Sequence, residues 1–218
     1  MKNIKIILLI TCTLFLVNST NALEGRIDYD SVYIDYSILK EGMYIKKGDN
    51  FLKKAENEAK TDIQKRFYYT QALGAYLTAI KINSESVETY GKIGYIYGKM
   101  DEYRLAKSYF NVGLNLQMYN PYVNFLFACF YAENQNYNNA IKYYKRAMKG
   151  NFNDKYSLYY NIGETNEKLG DLVKANEFYK KANAIKTSEK LTNKIRSIED
   201  LKYNKSQYYI RKKLYNYD

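Results

Sequence analysis

Residues 90–116 read YGKIGYIYGKMDEYRLAKSYFNVGLNL. The stretch looks like two helices joined at Asp101-Glu102, yet it carries glycine at 91, 94, 98 and 113. Glycine inside a helix costs about 1 kcal/mol relative to alanine. A chain with 27 tyrosines has no shortage of bulky residues to put there. The steric reading explains the choice. Small residues on facing sides of two antiparallel helices let the backbones approach closely, and aromatics three or four residues away lock into the neighbouring turn.

The same spacing recurs on both sides of this stretch. Ala72, Ala106, Ala140 and Ala175 lie 34, 34 and 35 residues apart. Four residues after each comes an aromatic: Tyr76, Phe110, Tyr144 and Tyr179. Three further on comes a small residue: Ala79, Gly113, Ala147 and Ala182. Twelve residues before the last three alanines stand Gly94, Ala128 and Gly163, preceded by Ile93, Phe127 and Ile162. Such a period marks stacked helical hairpins, each too thin to bury its apolar face alone.

Over residues 44–185 the pattern resembles the tetratricopeptide repeat family. Repeat two matches through Tyr90, Ile93, Gly94, Tyr97, Tyr103, Ala106, Phe110 and Gly113. Repeat three matches through Phe127, Ala128, Tyr131, Tyr137, Ala140, Tyr144 and Ala147. Repeat four has Tyr159, Ile162, Gly163, Leu172, Ala175, Tyr179 and Ala182, but Asn166 stands where the family prefers tyrosine, which weakens packing there. The resemblance implies an all-α, right-handed superhelix of about four hairpins, at about 43–84, 86–119, 120–153 and 155–186.

The first hairpin is irregular. Its first helix fits Tyr44, Gly48 and Phe51, and its second runs from about Phe67 to Ile82. Gly48 precedes Ala72 by 24 residues where the other repeats have 12, so both helices should be extended. Asn120-Pro121 sets an N-cap and a proline at the first helical position. Ser84 or Ser86 and Asp154 suit N-caps. Residues 188–203, with Leu191, Ile195, Ile198 and Leu201 on one face, read as the cap of the open solenoid end. The basic, tyrosine-rich tail that follows reads as a solvated, frayed helix.

Composition narrows the function. Histidine is absent, which removes imidazole ligands and the usual neutral-pH general base. A single proline and 46% hydrophobic residues suit long helices rather than disorder. Residues 1–22 read as an export signal: Lys2 and Lys5, then the apolar run Ile6 to Val17, then a polar stretch ending at Ala22. The apolar run is too short to span a bilayer. Cleavage after Ala22 would remove Cys12, leave Cys129 without a disulfide partner, and lower the net charge from +11 to +9 by removing Lys2 and Lys5. Residues 23–42 read as an exposed lead-in, and a periplasmic or cell-envelope location follows from export.

In the family resembled, the first helix of each hairpin lines the concave surface. Carried over, this implies Glu88, Gly91, Tyr95, Gly98 and Lys99 in repeat two, and Tyr122, Phe125, Cys129, Ala132 and Glu133 in repeat three. Repeat four supplies Ser157, Tyr160, Glu164, Glu167 and Lys168. The groove should be aromatic at its centre and acidic toward repeat four, with Tyr95, Lys99, Tyr122, Phe125, Tyr160, Glu164 and Lys168 binding a protein or peptide. Gly91 and Gly98 either form a notch for a ligand or mark close approach of the first-repeat helices. The basic groove residues of carboxylate-clamping relatives are missing. Cys129, among Phe125, Phe127 and Phe130, reads as a small hydrophobe, and Glu164 with Glu167 as a solvated acidic edge. No cofactor or catalytic group is expected. The alternative to a groove-binding scaffold is an envelope adaptor whose basic tail touches a membrane. Export argues against nucleic acid.

Overall fold

The computed structural model describes residues 41–215; the expected export signal and most of the lead-in lie outside the described residues. Among the described residues nine helices follow in order: α1 (Glu41–Asn57), α2 (Asp62–Ile82), α3 (Val87–Lys99), α4 (Tyr103–Leu116), α5 (Pro121–Glu133), α6 (Tyr137–Lys149), α7 (Lys155–Lys168), α8 (Leu172–Ile185) and α9 (Glu189–Tyr215). No strand occurs among the described residues. Helices α1–α2, α3–α4, α5–α6 and α7–α8 pair as hairpins that stack in series, and α9 packs on α8.

Local chemistry fixes the breaks. Asn120, Asn136, Asp154 and Asp171 each accept a hydrogen bond from the backbone N–H three residues on, which starts α5, α6, α7 and α8. Thr61 does the same for α2, which therefore begins at Asp62, one turn and more before the expected Phe67. Ser86 holds the cap position of α3 without capping it; its hydroxyl meets that of Thr89 at 2.8 Å. The tight turn inside each of hairpins two to four passes through one left-handed residue: Asp101 (φ 66°), Gln135 (φ 57°) and Gly170 (φ 87°). These three turns keep the 34- and 35-residue spacing of the alanine anchors.

The hairpins close where a ring of the second helix lies across a small residue of the first. Tyr76, Phe110, Tyr144 and Tyr179 are at most 1% exposed, and all four anchor alanines are fully buried. A Cβ on Gly48 would run into the Tyr76 ring, one on Gly163 would stand 2.6 Å from Tyr179, and one on Gly94 3.0 Å from Phe110. Gly48 is thus the counterpart of Gly94 despite its longer sequence separation, and the extra length lies in α1 and α2, which run 17 and 21 residues. The rings differ in freedom to move. Tyr76 donates to Asp49 at 2.6 Å and Tyr179 donates to Glu167 at 2.5 Å, so both phenols are pinned at the far end. Gly163→Ala and Gly48→Ala should therefore each lose about 1–3 kcal/mol by overpacking. Gly94→Ala should stay within about 1 kcal/mol of the parent, because relief of the glycine penalty offsets a milder contact and repeat three already carries Ala128 there. Urea melts of the three variants check this; equal losses in all three would reject pinning as the cause.

Gly91 and Gly98 do not face the groove. A Cβ on Gly91 would meet Val123 Cγ2 at 3.0 Å, and one on Gly98 would meet Phe130 Cδ2 at 2.9 Å. Both neighbours belong to α5. The close approach is to the following repeat, so the notch and the first-repeat contact are both set aside. Asn166, in the place of Tyr97 and Tyr131, is 2% exposed and donates to its own helix at Ile162 O. The stacked pairs Tyr97–Tyr109 and Tyr131–Tyr143 of repeats two and three are replaced by a tilted Tyr159–Phe178 contact in repeat four.

On α9, Leu191, Ile195 and Ile198 are buried, but Leu201 is 56% exposed and lies off the packed face. The tail continues α9 as helix to Tyr215.

Candidate functional site

The first helices of successive repeats stand side by side, so side chains at equivalent points converge on one concave face. A groove of about 390 Å³ results, walled by Tyr95 from α3, Tyr122 and Phe125 from α5, and Tyr160 from α7. All four are half-buried. Glu164 and Lys168 fall in a smaller adjoining recess of about 130 Å³, which shares Cys129, Glu133 and Asn161 with the main groove. Lys99 lines neither; it crosses from α3 to bind Glu133 on α5 at 2.5 Å, with its ammonium 5.3 Å from the Tyr95 ring centre.

The aromatic walls are held from behind. Phe125 stacks on buried Phe152, with ring centres 4.3 Å apart. Tyr160 tilts against Tyr179 at 5.8 Å. The Tyr95 hydroxyl donates to Glu56 on α1. These contacts fix ring orientation before any ligand arrives, which limits the entropy lost on binding.

Several groove members escaped the sequence reading. Leu52, Glu56, Lys92 and Tyr156 also line the groove. Once Gly48 is matched to Gly94, Asp49 and Leu52 fall at the concave positions of α1, so the irregular first repeat held a usable signal. Lys92 lies outside the concave positions of the family, yet it reaches Asp49 at 2.6 Å and thereby ties α3 to α1.

The electrostatics are those of a sealed, weakly acidic surface. Burial, then the hydrogen bond to Glu56, pushes the Tyr95 phenol well above the usual range. Burial, then the carboxylates Asp49, Glu88 and Glu56, raises Tyr122 to about 12. Burial raises the Cys129 thiol to about 11, although Tyr144 and Asn161 donate to its sulfur. That thiol stays protonated near neutral pH and is a poor nucleophile. Burial alone would raise Glu167, but hydrogen bonds from Lys194 and Tyr179 hold it below the usual carboxylate range. Glu167 therefore belongs to the joint between α7, α8 and α9, not to a free acidic edge. What the groove offers is aromatic area, amide and phenol hydrogen bonds, and carboxylates.

A curved stack of helical hairpins with an aromatic concave face is the architecture of an α-solenoid repeat protein. More narrowly, residues 87–117, 121–153 and 156–188 are tetratricopeptide repeats, since the family of that description matches them. The irregular first hairpin lies outside those matches. Among solved structures, PilF of Pseudomonas aeruginosa superposes with a TM-score of 0.63 at 16% identity, covering 81% of this chain and 73% of that one. PilW, described as a widely conserved type IV pilus biogenesis factor, gives 0.56 at 16% identity over 66% of this chain and 61% of that one. MamA gives 0.54 at 19% identity over 82% and 96%. Likeness at these identities is likeness of fold. No curated protein matches the chain in sequence.

Proposed function

We propose that this chain is an exported, non-catalytic scaffold that captures a protein or peptide segment in its concave groove. The observation that carries the reading is the convergence of Tyr95, Tyr122, Phe125 and Tyr160, from three consecutive first helices, on one 390 Å³ groove. Tyrosine gives a large contact area with a polar tip and little entropy to lose. Export rests on the pattern of residues 1–22, and the envelope location with it. Peripheral membrane contact through the basic tail is the second reading. It is carried by charge, since no described helix is long and apolar enough to cross a bilayer.

The test is partner capture from an envelope extract by the chain from Leu23 onward. Tyr95 and Phe125 are poor probes because both support the core. Tyr122→Ala with Tyr160→Ala should reduce capture by about tenfold or more while the helical circular dichroism is kept. Undiminished capture would place the binding face elsewhere.

A further inference from the structure

We infer that the basic segment 202–218 of one copy of this chain docks in the concave groove of a second copy. The inference rests on the groove being the binding face. In and beside that groove the ammonium groups are already engaged: Lys92 by Asp49 at 2.6 Å, Lys99 by Glu133 at 2.5 Å and Lys168 by Glu164 at 3.8 Å. Among the described residues, Glu56 receives only the Tyr95 phenol. An incoming lysine or arginine would meet this spare carboxylate beside the faces of Tyr95 and Tyr122. Excess negative charge is unusual on a chain of net charge +11, so the groove is a distinct electrostatic feature.

The segment has the complementary chemistry. Residues 202–218 hold four lysines, one arginine and five tyrosines against one aspartate. Helix α9 carries the segment past Ile198, the last of its buried residues among those described; Leu201 is 56% and Tyr203 64% exposed. A helical stretch this short is marginal in water, and docking would stabilise it. The segment cannot reach its own groove while helical. At 27 residues α9 is a rod of about 40 Å, and Asn204 and Lys205 run beside the α7–α8 turn at Gly170 and Asp171. The contact is therefore between copies, heterologous, and able to propagate from one copy to the next.

Two measurements test this with the chain from Leu23 onward. Light-scattering mass should exceed that of one copy and rise with concentration. It should return to one copy when Lys205, Arg211, Lys212 and Lys213 are all changed to Glu. A labelled synthetic peptide of residues 202–218 should bind the charge-reversed chain, and Glu56→Gln with Tyr122→Ala should weaken that binding by about tenfold or more. A one-copy mass at every concentration together with no peptide binding overturns the inference. So does peptide binding that ignores the groove substitutions, or a peptide that associates with phosphatidylglycerol vesicles and not with the protein. If capture of another partner still depends on Tyr122 and Tyr160 while the peptide fails, this inference falls and the proposed function stands.

Discussion

Raised from pH 9 to pH 12, the protein unfolds in one cooperative step, with phenolate absorbance and loss of helical signal appearing together. Tyr69, Tyr76, Tyr144 and Tyr179 are each at most 2% exposed. Burial is the first cause that raises all four phenols; Asp49 adds to it for Tyr76 and Glu167 for Tyr179. Tyr69 rises to about 12 and the others further. Below the free tyrosine value near 10 neither state ionises, and the contribution of these groups is intact. Above it the unfolded chain releases protons that the folded chain retains. Each phenol then removes about 1.4 kcal/mol per pH unit until its folded pKa is passed. Four acting together remove about 5–6 kcal/mol per unit, against a total stability of about 5–15 kcal/mol. The fold should be lost within one to two units above about pH 10. Tyr76→Phe should make the alkaline limb shallower by one phenol. Full phenolate absorbance with unchanged helicity would show that the rings are not sealed.

Phe127→Ala costs about 3–5 kcal/mol. The ring is 1% exposed and sits among Phe110, Tyr131 and Tyr143, with centres 4.6, 4.6 and 4.5 Å away. It joins repeat two to repeat three, since Phe110 belongs to α4 and Tyr143 to α6. Stability in a repeat array is a sum of repeat and interface terms. Loss of this ring weakens an interface as well as a hairpin, so the thermal transition should broaden as well as fall by about 6–20 °C. Phe127→Leu should recover most of the loss. A cost below about 1 kcal/mol for the alanine variant would deny the cluster its role.

The groove shows where reading the chain stops. Tyr95, Tyr122, Phe125 and Tyr160 stand at positions that line the concave face in the family resembled, so their shared face followed from the resemblance. Glu56 and Lys92 did not. Their places depend on α1, whose extra length hides its register, and on a cross-helix ion pair between Lys92 and Asp49. Gly91 and Gly98 illustrate the same limit. A small residue announces a close approach without naming the neighbour, and the neighbour was α5.

The order of small, aromatic and alanine positions determined the helices, the hairpins and their stacking, because 34-residue spacing places the same contacts at every seam. It also determined the terminal cap at Leu191, Ile195 and Ile198. Only the tertiary structure decided which charges are paired around the groove and which rings are pinned. Those depend on distances between helices far apart in sequence, and periodicity carries no information about such distances.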